Sequence, residues 1–236
     1  MTGRSVLVVG ASRGIGAAVA REFLRAGDRV AGTHRGSGVP VDGVLPVKLD
    51  LADPDASRVA DAVAEVTEHQ GAPEVVVLNA GLTRDGLLAR MPEEHYREII
   101  EVTQLGTFRV VQRVLPAMAK ARTGSIVLVS SASARAGSPG QANYAAAKAA
   151  LEGFARSVAL EYGRRGVRIN VVAPGPVDTD MVAVLTDRQR QALVDQVPLG
   201  RLARAEEIAE VVRWVAGSTY VTGATIPVTG GGALGW

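Results

Sequence analysis

Short runs of β-branched and aliphatic residues alternate along this chain with longer segments of helical periodicity, and no other feature restricts its fold so much. SVLVV (5–9), DRVAGT (28–33), LPVKL (45–49), EVVVL (74–78), SIVLVS (125–130), VRINVV (167–172) and ATIPV (224–228) read as seven strands. Their near-continuous apolar character belongs to strands covered on both faces, which predicts parallel pairing. Between them, helices are expected over Ala17–Ala26, closed by Gly27, over Asp55–Gln70, opened by Asp53-Pro54, over Glu93–Ala121 as one long helix, and over Ala142–Arg165, closed by Gly166. The alternation predicts a single α/β domain over residues 1–236: a doubly wound, seven-stranded parallel sheet with helices on both faces and ligands at the carboxyl ends of the strands. Pro174 to about Gln196 is the least regular stretch, a long loop with a short helix of the kind that covers substrates.

Composition removes several classes of function. The chain has no cysteine, which excludes disulfides, thiolate metal sites and a cysteine nucleophile and suits a reducing cytoplasm. A formal charge of +2 with both signs interspersed, and no long basic run, does not describe a nucleic-acid protein despite a pI of about 9.2. No run approaches the roughly 18 apolar residues of a membrane span, so a soluble protein is expected. No metal site is predicted.

The strongest local motif is VVGASRGIG (8–16), which places Gly10, Gly14 and Gly16 after the first strand and at the start of a helix. Absent side chains there let backbone N–H groups approach a pyrophosphate, so the loop reads as a dinucleotide cradle of Rossmann type, spaced GxxxGxG. An NAD site wants an acid at the end of the second strand to hold the ribose 2′-hydroxyl, but this strand runs into AGTHRGSG, with His34 and Arg35 and no acid. With Arg13 in the glycine loop, these cations favour the 2′-phosphate of NADP(H). The second constellation is Tyr144 and Lys148, four residues apart in a run of alanines and so on one face of a helix. An ammonium beside a phenol favours the phenolate, which predicts a lowered tyrosine pKa and acid–base work.

In sum of motifs the chain resembles the short-chain dehydrogenase/reductase family from end to end. The glycine loop, LDL (49–51), NAG (79–81), Ser131 thirteen residues before Tyr144, the YxxxK pair, APG (173–175) and DTDM (178–181) carry the resemblance in order. It implies that Ser131 and Tyr144 converge on a carbonyl oxygen and that Lys148 holds the nicotinamide ribose. It also implies that Gly10, Ser12, Arg13, Gly14, Ile15 and Gly16 cradle the cofactor, Asp50 and Leu51 contact its adenine, Asn79, Ala80 and Gly81 line the cleft, and Pro174, Gly175, Val177 and Thr179 flank the nicotinamide. GLTRDGLLARM (81–91), GQANYAAAKA (140–149) and VTGATIPV (221–228) look most like the 3-oxoacyl-[acyl-carrier-protein] reductases of fatty acid synthesis, which are homotetramers or homodimers. By that resemblance Arg122 and Arg165 are expected near the mouth of the site, steering an acidic carrier protein. The chain departs from the family at Thr103, where an asparagine usually serves a water-linked proton relay, at Leu78 and at Thr229. Two other functions stay open: a ketoreductase for polyketide or small ketone substrates, and an NADP-binding protein of little turnover.

Overall fold

The structure, a computed structural model, describes residues 3–183 and 185–232. Seven parallel strands form one sheet in the order β3-β2-β1-β4-β5-β6-β7: β1 (Ser5–Val9), β2 (Arg29–His34), β3 (Leu45–Lys48), β4 (Val75–Leu78), β5 (Gly124–Val129), β6 (Val167–Pro174) and β7 (Thr225–Val228). Every predicted strand is present. Side chains alternate across the sheet, so Leu7 and Val9 enter one core while Val6 and Val8 enter the other.

The first core lies under α2 (Ser57–Gln70), α4 (Gly106–Ala121) and α6 (Ala142–Tyr162), which bury Val63, Val66, Val110, Val114 and Leu151 against Ile126 and Ile169. The second lies under α1 (Gly14–Arg25) and α9 (Ala205–Gly217), where Phe23, Ile208, Val212 and Val215 meet Val75, Val77 and Val127. Among the described residues no helix is long and apolar enough to cross a membrane.

Several helix boundaries differ from expectation: α1 starts at Gly14 rather than Ala17, and the helix expected over Ala142–Arg165 gives way after Tyr162 to a 3₁₀ turn over Gly163–Arg165. The helix expected to run unbroken over Glu93–Ala121 is α3 (Glu93–Ile100), a π-turn over Glu101–Leu105, and α4. The π-turn brings Gly106 against Leu51, whose side chain lies 2.9 Å from where a Cβ on Gly106 would stand. α2 starts at Ser57 rather than Asp55, because the Asp53 and Asp55 carboxylates accept from the N–H groups of Asp55 and Ser57 and hold a turn ahead of the helix. α9 lies outside the predicted helices, although its buried Ile208, Ala209, Val212, Val215 and Ala216 have clear helical spacing. The Pro174–Gln196 stretch carries two helices, α7 (Asp180–Ala183) and α8 (Asp187–Val194), the latter opened by a Thr186–Gln189 capping box. Both edge strands contain a proline, Pro46 in β3 and Pro227 in β7.

Candidate active site

The order of strands reverses between β1 and β4, and the loops leaving these two strands open a crevice at their carboxyl ends. Gly10 sits there at φ +84°, and a Cβ on it would stand 2.8 Å from the backbone of Ala80. A Cβ on Gly16 would stand 1.9 Å from the Gly10 carbonyl oxygen, which itself accepts from Asn79 Nδ2 at 2.9 Å. Asn79 and Ala80 both donate their N–H groups to the Val9 carbonyl, and Thr33 Oγ1 accepts from Gly10 N at 2.9 Å. The glycines therefore hold the two loops together. α1 begins at Gly14 with Arg13 extended in front of it, no side-chain cap and no acidic residue in its first turn. Its free N–H groups and positive dipole end suit a pyrophosphate, so the residues present fit the predicted dinucleotide.

On the far wall stands the segment after β6. Thr179 reaches back toward the glycine loop, with Cγ2 3.4 Å from where a Gly14 Cβ would be. Val177 is buried and bridges to Ala203, and Gly175 donates to the Val228 carbonyl at 3.0 Å. A cavity of about 390 Å³ runs between Ser12–Gly14 on one side and Asp178–Asp180 on the other. Arg13 Nη1 is 3.8 Å from Asp180 Oδ2 across it, both side chains being largely exposed. A larger cavity of about 670 Å³ lies at the amino edge of the sheet beside Arg4, Ser125 and Arg168, a strand's length from these groups.

At the end of β2, His34 Nδ1 accepts from Gly38 N at 3.1 Å and Arg35 is exposed. Asp50 is exposed, with Oδ1 accepting from Ala52 N at 3.0 Å. Leu51 is a core residue whose side chain packs on Gly106.

Ser131, Tyr144 and Lys148 are brought together as the motifs predict. Lys148 is buried in α6 and donates from Nζ to the Val129 carbonyl at 2.7 Å. The ammonium lies 5.8 Å from the centre of the Tyr144 ring, and burial lowers its pKa to about 8. The predicted direction for Tyr144 is corrected here. Its pKa is raised, chiefly by burial, with a hydrogen bond to Ser131 pulling the other way and the charge of Asp85 adding to the rise. The lysine's shortest contact is a backbone carbonyl, and the phenol stays protonated at neutral pH. That suits a proton donor.

Thr103 lies inside the π-turn, 1% exposed, and its Oγ1 has no hydrogen-bond partner among the described residues. The sequence reading did not single out Asn143, Arg135 or Glu152. Buried Asn143 accepts from Tyr144 N and donates to the Arg84 carbonyl, fixing the β4 loop beside the phenol. Glu152 continues the row of Tyr144 and Lys148 by one more turn, and that spacing was its only signal.

Arg122 and Arg165 are placed elsewhere. They precede β5 and β6, at the amino edge of the sheet, whereas Ser131 follows the carboxyl end of β5. A six-residue strand spans roughly 20 Å, so neither is at the mouth of this chain's own site. Arg122 ends α4 in the left-handed region, φ 54°, and donates from Nη2 to the Arg164 carbonyl at 3.1 Å.

A family model described as "Enoyl-(Acyl carrier protein) reductase" matches residues 10–232. The 3-oxoacyl-[acyl-carrier-protein] reductase MabA of Mycobacterium avium is 46% identical, over 98% of this chain and 91% of that protein. The 3-oxoacyl-[acyl-carrier-protein] reductase FabG of Pseudomonas aeruginosa is 44% identical over 98% of each chain, and that of Escherichia coli (strain K12) 42% over 97% of each. These matches take in the glycine loop, the Ser131–Tyr144–Lys148 cluster and the segment after β6 together. The chain belongs to the short-chain dehydrogenase/reductase family.

Proposed function

We propose that the protein reduces the 3-oxo group of an acyl thioester carried by acyl-carrier protein to the 3-hydroxyl, using NADPH, in fatty acid biosynthesis. The observation that carries this reading is a half-buried Tyr144 hydrogen-bonded to Ser131, with the buried Lys148 ammonium one helical turn away and 5.8 Å from the centre of its ring. When bound, the nicotinamide supplies a hydride to the carbonyl carbon. As that carbon–oxygen π bond breaks, the oxygen takes the proton of Tyr144, while the Ser131 hydroxyl donates a hydrogen bond to the developing charge. Lys148 then faces a phenolate rather than a phenol, and its ammonium stabilises that charge. In this reading position 103, which is Thr103 here, serves the water-linked replenishment of the Tyr144 proton. The names of the full-length relatives support the 3-oxo level of reduction within the broader family description.

NADPH in place of NADH is supported by Arg13, His34 and Arg35 around the end of β2, with no acid there to hold a 2′-hydroxyl. Carrier docking on Arg122 and Arg165 requires an assembly, in which the amino edge of one subunit borders the mouth of another. A homotetramer or homodimer is supported by exposed apolar side chains on three helices: Phe108 on α4, Leu160 on α6 and Trp214 on α9. The test follows NADPH oxidation with an acetoacetyl thioester, a carrier-bound 3-oxoacyl group and a panel of plain ketones. Preference for the carrier-bound group is expected, and Tyr144→Phe abolishes it while NADPH still binds. Preference for plain ketones makes the protein a general ketoreductase, and silence on all three removes the reductase reading.

A further inference from the structure

Positions 144, 148 and 152 follow one face of α6 at successive turns, so the row that bears Tyr144 and Lys148 ends on Glu152. Glu152 is 5% exposed, on a helix whose other buried positions include Ala147, Leu151, Ala155 and Val158. A carboxylate in such surroundings is costly unless paired. Its partner is Arg135, whose Nε and Nη2 both donate to Glu152 Oε2, at 3.0 and 2.8 Å, while Arg156 Nη1 stands 3.8 Å from the same oxygen. Glu152 Oε1 has no hydrogen-bond partner among the described residues. An aliphatic side chain would serve the packing of α6 better, so the carboxylate is there for the arginine.

Arg135 belongs to α5 (Ser133–Ala136), the turn that follows Ser131 directly, and Ser133 N and Ala134 N donate back to Ser131 Oγ and O. From its amino-terminal side, Ser131 is held to α6 by Lys148 Nζ on the Val129 carbonyl and by Ser130 Oγ on the Lys148 carbonyl at 3.0 Å. From its carboxyl-terminal side the link to α6 runs through Gly137 and Gly140, at φ +73° and +81°, and a Cβ on Gly137 would touch nothing within 4 Å. Gly140 is tied to the β4 loop, its carbonyl accepting from Gly86 N at 2.8 Å, so what fixes α5 itself to α6 on this side is a side-chain contact. Arg135 and Glu152 supply it.

We propose that Arg135 and Glu152 are positioning residues for Ser131: their ion pair clamps α5 to α6 and thereby sets the Ser131 hydroxyl against the Tyr144 phenol. A hydroxyl that must meet the same oxygen as the phenol tolerates little displacement. The kinetic arm of the test rests on the reductase reading, and a spectroscopic arm does not. Arg135→Met and Glu152→Gln are each expected to lower kcat for a small 3-oxoacyl thioester by between about ten- and a hundredfold. The NADPH dissociation constant should change by less than about twofold, since the clamp does not touch the glycine loop. The double variant should lose no more than either single one, because the two side chains act as a unit. Arg135→Lys, which keeps the charge, should recover part of the loss.

Independently of turnover, the phenolate titration of Tyr144, followed by ultraviolet difference against Tyr144→Phe, should move upward in Arg135→Met as the Ser131 hydrogen bond weakens. A native protein inactive on 3-oxoacyl thioesters removes the reductase reading, and the titration then decides the clamp by itself. Unchanged titration in folded Arg135→Met overturns the proposal, as do losses that multiply in the double variant. Arg135 is surface-placed, so its variants decide the question should Glu152→Gln fail to fold.

Discussion

Lys148 is buried as a cation with a backbone carbonyl for its partner, and that arrangement favours chemistry over stability. A shift from 10.5 to about 8 corresponds to roughly 3 kcal/mol against the charged form at neutral pH. Lys148→Met should therefore raise the denaturation free energy of the ligand-free protein at pH 7, by up to that order, while NADPH affinity and turnover collapse. Between about 8 and 10.5 the unfolded chain binds more protons at this position than the native one, so native stability rises with pH there and the advantage of the Met variant shrinks. Urea titrations of both proteins across that range check it. Thr103 offers a second test. A π-turn leaves a carbonyl without its usual intrahelical donor, and the Thr103 hydroxyl bonds nothing among the described residues. Thr103→Val should then gain about 1 kcal/mol of stability with kcat changed less than about twofold, the backbone carbonyl doing the work. Thr103→Asn should raise kcat by up to about tenfold with NADPH affinity unchanged. A large loss of kcat in the Val variant would instead assign the hydroxyl to the relay. The Tyr144–Lys148 pair was legible because four residues in a helix is a local relation. The direction of the Tyr144 shift was not, since it depends on burial by segments remote in sequence.

Elements show the same division. β-strands were legible through their apolar runs because both faces are covered, and the glycine loop through its spacing. The break at Glu101–Leu105 was not, because EVTQL has ordinary helical composition and the Gly106–Leu51 contact that goes with the π-turn joins residues far apart in the chain. Between elements, α7 meets the glycine loop through Asp180, whose carboxylate faces the Arg13 guanidinium at 3.8 Å. The arginine is thus shared between the lid and the phosphate it is proposed to bind. Asp180→Asn should tighten NADPH a few-fold, on the order of 0.5–1 kcal/mol for an exposed pair, and leave NADH unchanged. Isothermal titration with both cofactors measures this, and equal tightening for the two would detach Arg13 from the 2′-phosphate.

The whole molecule separates two edges: the carboxyl ends of the strands hold the crevice and the Ser131 cluster, and the amino ends hold Arg122 and Arg165. That separation was available from the strand–helix order alone, since each arginine immediately precedes a strand and Ser131 follows one. Arg165 is exposed at the end of a single 3₁₀ turn and is the cleaner probe, Arg122 being needed to end α4. Arg165→Glu is expected to raise KM for carrier-bound substrate at least several-fold, an effect that fades with added salt, and to leave a small thioester unaffected. Equal effects on both substrates would return Arg165 to a helix-end role. The strand order has a further consequence during synthesis. β1 lies inside the sheet, between β2 and β4, yet β4 begins at Val75. At roughly 5–20 residues per second, β1 leaves the ribosome several seconds before its second neighbour exists. Proline closes the rims of the finished sheet at Pro46 and Pro227, but nothing comparable stands in SVLVV. The flank of β1 that later receives β4 is thus the edge a partly synthesised chain leaves without its strand partner until Val75–Leu78 has been made.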